Sequence, residues 1–301
     1  MAQAHTISRH ELPRWRRIVD FPLVTMIIAV GIFALLTVTG MLLGDLVPPG
    51  PRVERAPLLA LINIPIGLLV YKFAIARLGE RPRDELSLQG AFRSLGLGFI
   101  AGMLLFSAVV GVAAIANVYQ IVGYAGVNGH VIGFLAIAMM AGFTEEMLFR
   151  GILFRWIEEF AGSWIALGTT SALFGLAHML NPHASWFAAF AIAMEAGLLL
   201  GGAYMLTRSL WLPIGLHAAW NFTQGTIFDV PVSGAAAHGI LEAELSGPEL
   251  ISGGAFGLEA SLIALVIASA AGIALVVLAK RSGNFMPPSW VRRRLLAETA
   301  V

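Results

Sequence analysis

The stretch "FTEEMLFRGILF", residues 143–154, puts Glu145, Glu146 and Arg150 inside an apolar run that extends from about 130 to 156. Within a membrane span each such group costs roughly 2.5–3.5 kcal/mol at mid-helix, so the charges need partners or a water-filled pocket. The composition around the stretch decides for the membrane. Of the 301 residues 58% are hydrophobic and only 12% charged, against about a quarter charged in an ordinary soluble domain.

A hydrocarbon core about 30 Å thick takes roughly 20 apolar residues per helix. Eight stretches meet that need, near 22–44, 57–76, 95–117, 130–156, 163–181, 185–207, 210–228 and 257–279. The expected fold is all-α, a polytopic bundle of about eight transmembrane helices forming a single domain over 1–301, with its motifs in about 130–225. The first apolar run begins some twenty residues in and lacks a cleavage pattern, so it is expected to be retained. Segment 76–94, with mixed charge and an apolar "LSL", reads as a cytoplasmic loop holding a short interfacial helix. The loop near 229–256 reads as extracytoplasmic and without chemistry. The chain has no cysteine, which excludes disulfides, thiolate metal sites and a cysteine nucleophile.

With the N-terminus in the cytoplasm and eight alternating spans, 17 of the 19 Lys and Arg residues fall on the cytoplasmic side, from Arg9 to Arg294. Only Arg52 and Arg55 fall outside, so the positive-inside rule predicts cytoplasmic termini. The basic ends read as orientation signals and contacts to anionic lipid, and no nucleic-acid partner is expected.

The ionisable and polar groups within spans are Glu145, Glu146, Arg150, His178, Glu195, His217 and Asn221. A turn near Ala161 and Gly162 places Glu145 and His178 at equal separations from it, roughly 25 Å along facing helices at 1.5 Å per residue. If that hairpin projects two turns beyond the next turn, near Arg208, His217 reaches the same height. Glu146 and Arg150 are four apart with the acid first, the favourable order for an ion pair along one helix. Glu145, about 100° around, cannot share that pair and is expected to face the bundle. His217 and Asn221 are also four apart and present one face. Pro213 is expected to free the Ser209 carbonyl and kink the helix below them.

Each group has a plainer account: His178 as a packing histidine, Glu146–Arg150 as a clamp, Glu195 as a structural hydrogen bond or a proton-handling acid. A free Glu, two His and an Asn at one depth are harder to explain by packing. A carboxylate beside an imidazole can hold and deprotonate a water, and His217 with the Asn221 amide can donate to a developing oxyanion. That assembles amide hydrolysis. HExxH, a GxSG-type serine and an Asp within a span are all absent, which disfavours one-helix zinc, serine and aspartic mechanisms.

In "EEMLFR" (145–150), "FGLAH" (174–178) and "HAAWN" (217–221), the chain resembles the CPBP intramembrane proteases. These include type II CAAX prenyl endopeptidases and Abi-type or bacteriocin-processing membrane proteins. The resemblance implies Glu145 and His178 as the water-activating pair, His217 and Asn221 as oxyanion donors, and Glu146, Arg150 and Phe174 as supports. It further implies an intramembrane endopeptidase without a cofactor, acting on a peptide or membrane protein, CAAX-like at its C-terminus or otherwise. The compact Ala- and Gly-rich chain suits a bacterial cytoplasmic membrane, with the site opening toward the cytoplasm. Two other readings stand beside it. Glu145, His178 and His217 would ligate zinc in a metal-dependent protease, or the same charges would serve a non-catalytic scaffold or transporter.

Overall fold

The apolar stretches form helices in a computed structural model whose described residues run from 13 to 299. Arg9 and the two extreme ends lie outside those residues. A short α1 (Arg14–Val19) precedes α2 (Pro22–Gly44), α3 (Arg52–Phe73), α4 (Ala91–Ile115) and strand β1 (Tyr119–Tyr124). Helix α5 (His130–Leu148) continues through a π-helical turn, Phe149–Phe154, into α6 (Arg155–Ala161). Next come α7 (Ser163–Ala177), α8 (Trp186–Thr207), α9 (Trp211–Phe222), strand β2 (Leu241–Leu245), α10 (Glu249–Ser252), α11 (Leu262–Arg281) and α12 (Ser289–Thr299).

Seven helices among the described residues are long and apolar enough to cross a membrane. The expected span 210–228 is the exception, because α9 and the π-helical turn after it, Thr223–Ile227, are together shorter than the other seven. Its burial supplies the reason. Every residue from Pro213 to Trp220 is buried, and α9 packs on α4, α5 and α8. A helix enclosed by protein need not match the hydrocarbon thickness. Glycines make the enclosure tight: a Cβ at Gly98 or Gly102 of α4 would run into the Leu212 or Leu216 carbonyl, and one at Gly215 into that of Leu95. Small residues of this kind are what let membrane helices touch backbone to backbone.

Pro213 does not kink α9. The helix begins at Trp211, so the proline sits in the first turn, where its missing N–H would have had no helical partner.

The up-and-down course gives the bundle two ends. One carries α1, α12 and the turns at 161–162 and 208–210, and is called here the terminal end. Gly162 makes its first turn with φ +85°, and a Cβ there would press on the Met286 carbonyl and Pro288. Arg208 pairs with Glu158 at 2.6 Å, about one helical turn before Gly162, so the turn at 161–162 projects beyond the one near Arg208.

Segment 78–90 holds no interfacial helix. It folds inward, burying Leu86 and Glu85. Glu85 accepts hydrogen bonds from Tyr71 (2.7 Å) and Tyr204 (3.3 Å) and pairs with Arg155 at 3.3 Å. Arg155 also donates to the carbonyls of Arg83 and Arg81, while Arg83 pairs with Glu159 at 3.0 Å. This buried network closes the terminal end, because charges without water persist only when paired and hydrogen-bonded.

The opposite end carries a two-stranded antiparallel sheet that the all-α expectation lacks. Tyr119 pairs with Leu245 and Tyr124 with Leu241, with a bulge between Ile121 and Gly123. Tyr119 donates to the Phe228 carbonyl at 3.1 Å, and Asp229 accepts from the amides of Gly239 (2.7 Å) and Ala243 (3.3 Å). These bonds hold segment 228–245 against the helices.

Candidate active site

Glu146 and Arg150 meet as their spacing predicts, Arg150 Nη1 donating to Glu146 Oε1 at 2.7 Å with both side chains buried. Arg150 Nη2 donates to the Ala196 carbonyl of α8 at 3.1 Å. Arg150 therefore belongs to the bundle interior and not to the surface charges that orient the chain. It lies in the π-helical turn, a widening that recurs at functional sites.

The same Glu146 Oε1 is 3.0 Å from His217 Nδ1. A carboxylate only accepts, so Nδ1 carries the proton and His217 turns Nε2 the other way. There it lies 3.9 Å from Glu145 Oε2, too far for a direct hydrogen bond. Glu146 thus supports two residues, where the sequence assigns it one. His178 is fixed by the same logic: its Nδ1 lies 2.8 Å from the Phe174 carbonyl, an acceptor only, which leaves Nε2 as the free nitrogen.

Phe174 is the wedge between these groups. Its ring is buried, 4.8 Å from the His178 ring and 6.0 Å from that of His217, with the Arg150 guanidinium 4.9 Å from its centroid. One aromatic side chain so sets the orientation of an imidazole on each of two helices and covers the buried cation.

Glu145, Phe174, His178, His217 and Asn221 all line one cavity of about 520 Å³. Among the described residues no three His, Asp or Glu side chains stand in an arrangement that would hold a metal ion. The exposed residues of its walls, Arg52, Ala235, Ala236 and His238, all belong to the sheet end. The mouth therefore lies at the end opposite the chain termini, so the expected cytoplasmic opening and the expected cytoplasmic termini exclude one another. Equal heights along the helices could not reveal on which side the bundle parts.

The sequence reading also passes over part of the wall. Ser233, Ala235 and His238 come from the loop to which it gives no chemistry, and Glu259 comes from a short 3₁₀ turn ahead of α11. Glu259 was legible as an acid inside the apolar stretch 257–279. Burial pushes its carboxyl up to about 7, against the opposing pull of the Ser233 amide and the Gln224 side chain. Glu195, buried on α8, lines the same cavity.

Residues 127–223 match the family model for Rce1-like type II CAAX prenyl endopeptidases. This Rce1-like segment is about a third of the chain. It contains all three motifs and agrees with the family that they resemble. No curated protein and no solved structure gives a match. The chain's seven helices long and apolar enough to cross a membrane mark an integral membrane protein, and the matched segment within it is similar to CAAX-type endopeptidases.

Proposed function

We propose that the Rce1-like segment hydrolyses a peptide bond with a water activated by Glu145 and His178, without a covalent intermediate. The observation that carries the reading is the convergence of Glu145, His178, His217 and Asn221 on one cavity, each imidazole held through Nδ1 with Nε2 left free. The water donates one hydrogen bond to His178 Nε2 and gives its proton to Glu145 as its oxygen adds to the scissile carbonyl. The carbonyl becomes an oxyanion facing Asn221 and His217. With Nδ1 bound to Glu146, His217 can donate from Nε2 only as the imidazolium. Collapse of the tetrahedral adduct breaks the C–N bond, and Glu145 returns its proton to the leaving amine.

The zinc reading uses Glu145, His178 and His217, the same convergent donors. Protein stripped by a chelator and assayed on a membrane-protein substrate separates the two. Retention of at least about half the rate is expected, since no metal takes part. Loss of cleavage restored by zinc would replace the water mechanism with the metal one.

With both termini in the cytoplasm, as the charge distribution favours, the cavity opens on the extracytoplasmic face and takes a peptide or membrane-protein segment reachable from there. The chain's lack of cysteine makes the orientation testable by a single His238→Cys substitution. A membrane-impermeant maleimide is expected to label it in intact cells. Labelling only after the membrane is opened would reverse the orientation and restore a cytoplasmic, CAAX-like substrate.

A further inference from the structure

The cavity holds two carboxyl groups that the hydrolytic reading does not use. Glu195 enters from α8 at 3% exposure, and its Oε2 has no hydrogen-bond partner. Glu259 enters from the turn before α11 at 4% exposure and accepts the Ser233 amide. Both acids line the same cavity as His217. Beside Glu259, Gln224 donates from Nε2 to the Pro231 carbonyl and leaves Oε1 buried without a hydrogen-bond partner.

This recess holds two buried acids and, among the described residues, no Lys or Arg. Among the described residues, the one Lys or Arg on the cavity wall is Arg52, exposed at the mouth. Arg150 is turned away onto Glu146 and the Ala196 carbonyl. A buried acceptor left unbonded costs about 1–3 kcal/mol, and more when charged. Two neighbouring carboxyl groups in such a place fit a ligand that brings hydrogen-bond donors and positive charge.

We propose that Glu195 and Glu259 form a subsite for a cationic nitrogen of the substrate, an ammonium or guanidinium, on the His217 side of the scissile bond. The proposal deepens the proteolytic reading by naming a substrate class, a peptide with a basic group near the cleavage site. Lys or Arg side chains and a free amino terminus share this chemistry.

Two measurements test it. The first needs no catalysis: n-butylammonium and 1-butanol are compared as stabilisers of the Glu145→Gln protein in detergent. The amine is expected to raise the unfolding temperature by several degrees more than the alcohol, and the excess is expected to vanish when Glu195→Gln or Glu259→Gln is added. No excess, or an excess that survives in the variant carrying both substitutions, would overturn the subsite. It would leave two acids that merely share a proton.

The second is a peptide series bearing Lys, Arg or norleucine at successive positions. The wild type is expected to favour a basic residue at one position by at least tenfold in kcat/KM, and Glu195→Gln is expected to erase that preference. A preference removed by N-acetylation would assign the site to the amino terminus. Equal cleavage of Lys and norleucine peptides would overturn the proposal, whereas amine binding by a wild type that cleaves nothing would sink the proteolytic reading and leave the subsite standing.

Discussion

Glu145→Gln is expected to lower the rate of proteolysis by about 10³-fold, within the range removed with a general base, and to leave the protein folded. The carboxamide keeps the size of the side chain but cannot take a proton from water. Structure gives little reason for a stability loss, since the side chain is 36% exposed and stands 3.9 Å from its nearest ionic neighbour, His217. The unfolding temperature in detergent should stay near that of the wild type, as for a surface change worth under about 0.5 kcal/mol. Single-turnover cleavage in the same detergent reads the loss. Activity within tenfold of the wild type would remove Glu145 from the mechanism.

Glu146→Ala should instead cost about 3–5 kcal/mol, the penalty for leaving one partner of a buried ion pair uncompensated. Arg150 is 1% exposed and, among the described residues, has no other anion bonded to it, and His217 Nδ1 loses its acceptor in the same stroke. Cleavage should also disappear, because the imidazole is no longer held with Nε2 toward Glu145. Adding Arg150→Leu separates the two effects: it removes the stranded cation and should recover part of the stability without restoring cleavage. An unfolding temperature for Glu146→Ala equal to that of the wild type would contradict the buried-pair account. So would a double variant no more stable than the single.

The two neighbouring glutamates thus differ in kind, and their spacing announces it. Helical geometry is local, so four residues along one helix put Glu146 against Arg150 whatever surrounds them. The same rule leaves Glu145 outside the pair, with its side chain in the cavity. Equal distances from the 161–162 turn put His178 on the facing helix at the right height. Phe174 became meaningful only in three dimensions, where one ring touches two imidazoles and a guanidinium.

By itself the sequence determined the membrane class, seven of the eight long helices it predicts, the hairpin at Gly162, the Glu146–Arg150 pair and the residues that would face one another. All of these follow from apolar run length, residue rise and spacing along a helix, which are properties of adjacent residues. Tertiary structure alone decided that α9 is a short enclosed helix, that 78–90 plugs the terminal end, and that the loop 232–238 walls the cavity. It also decided that Glu146 grips His217 across 71 residues and that Glu195 and Glu259 share a recess. Those outcomes depend on which polar groups find partners once water is gone. Such pairing is settled between segments far apart in the chain, where no local pattern records it.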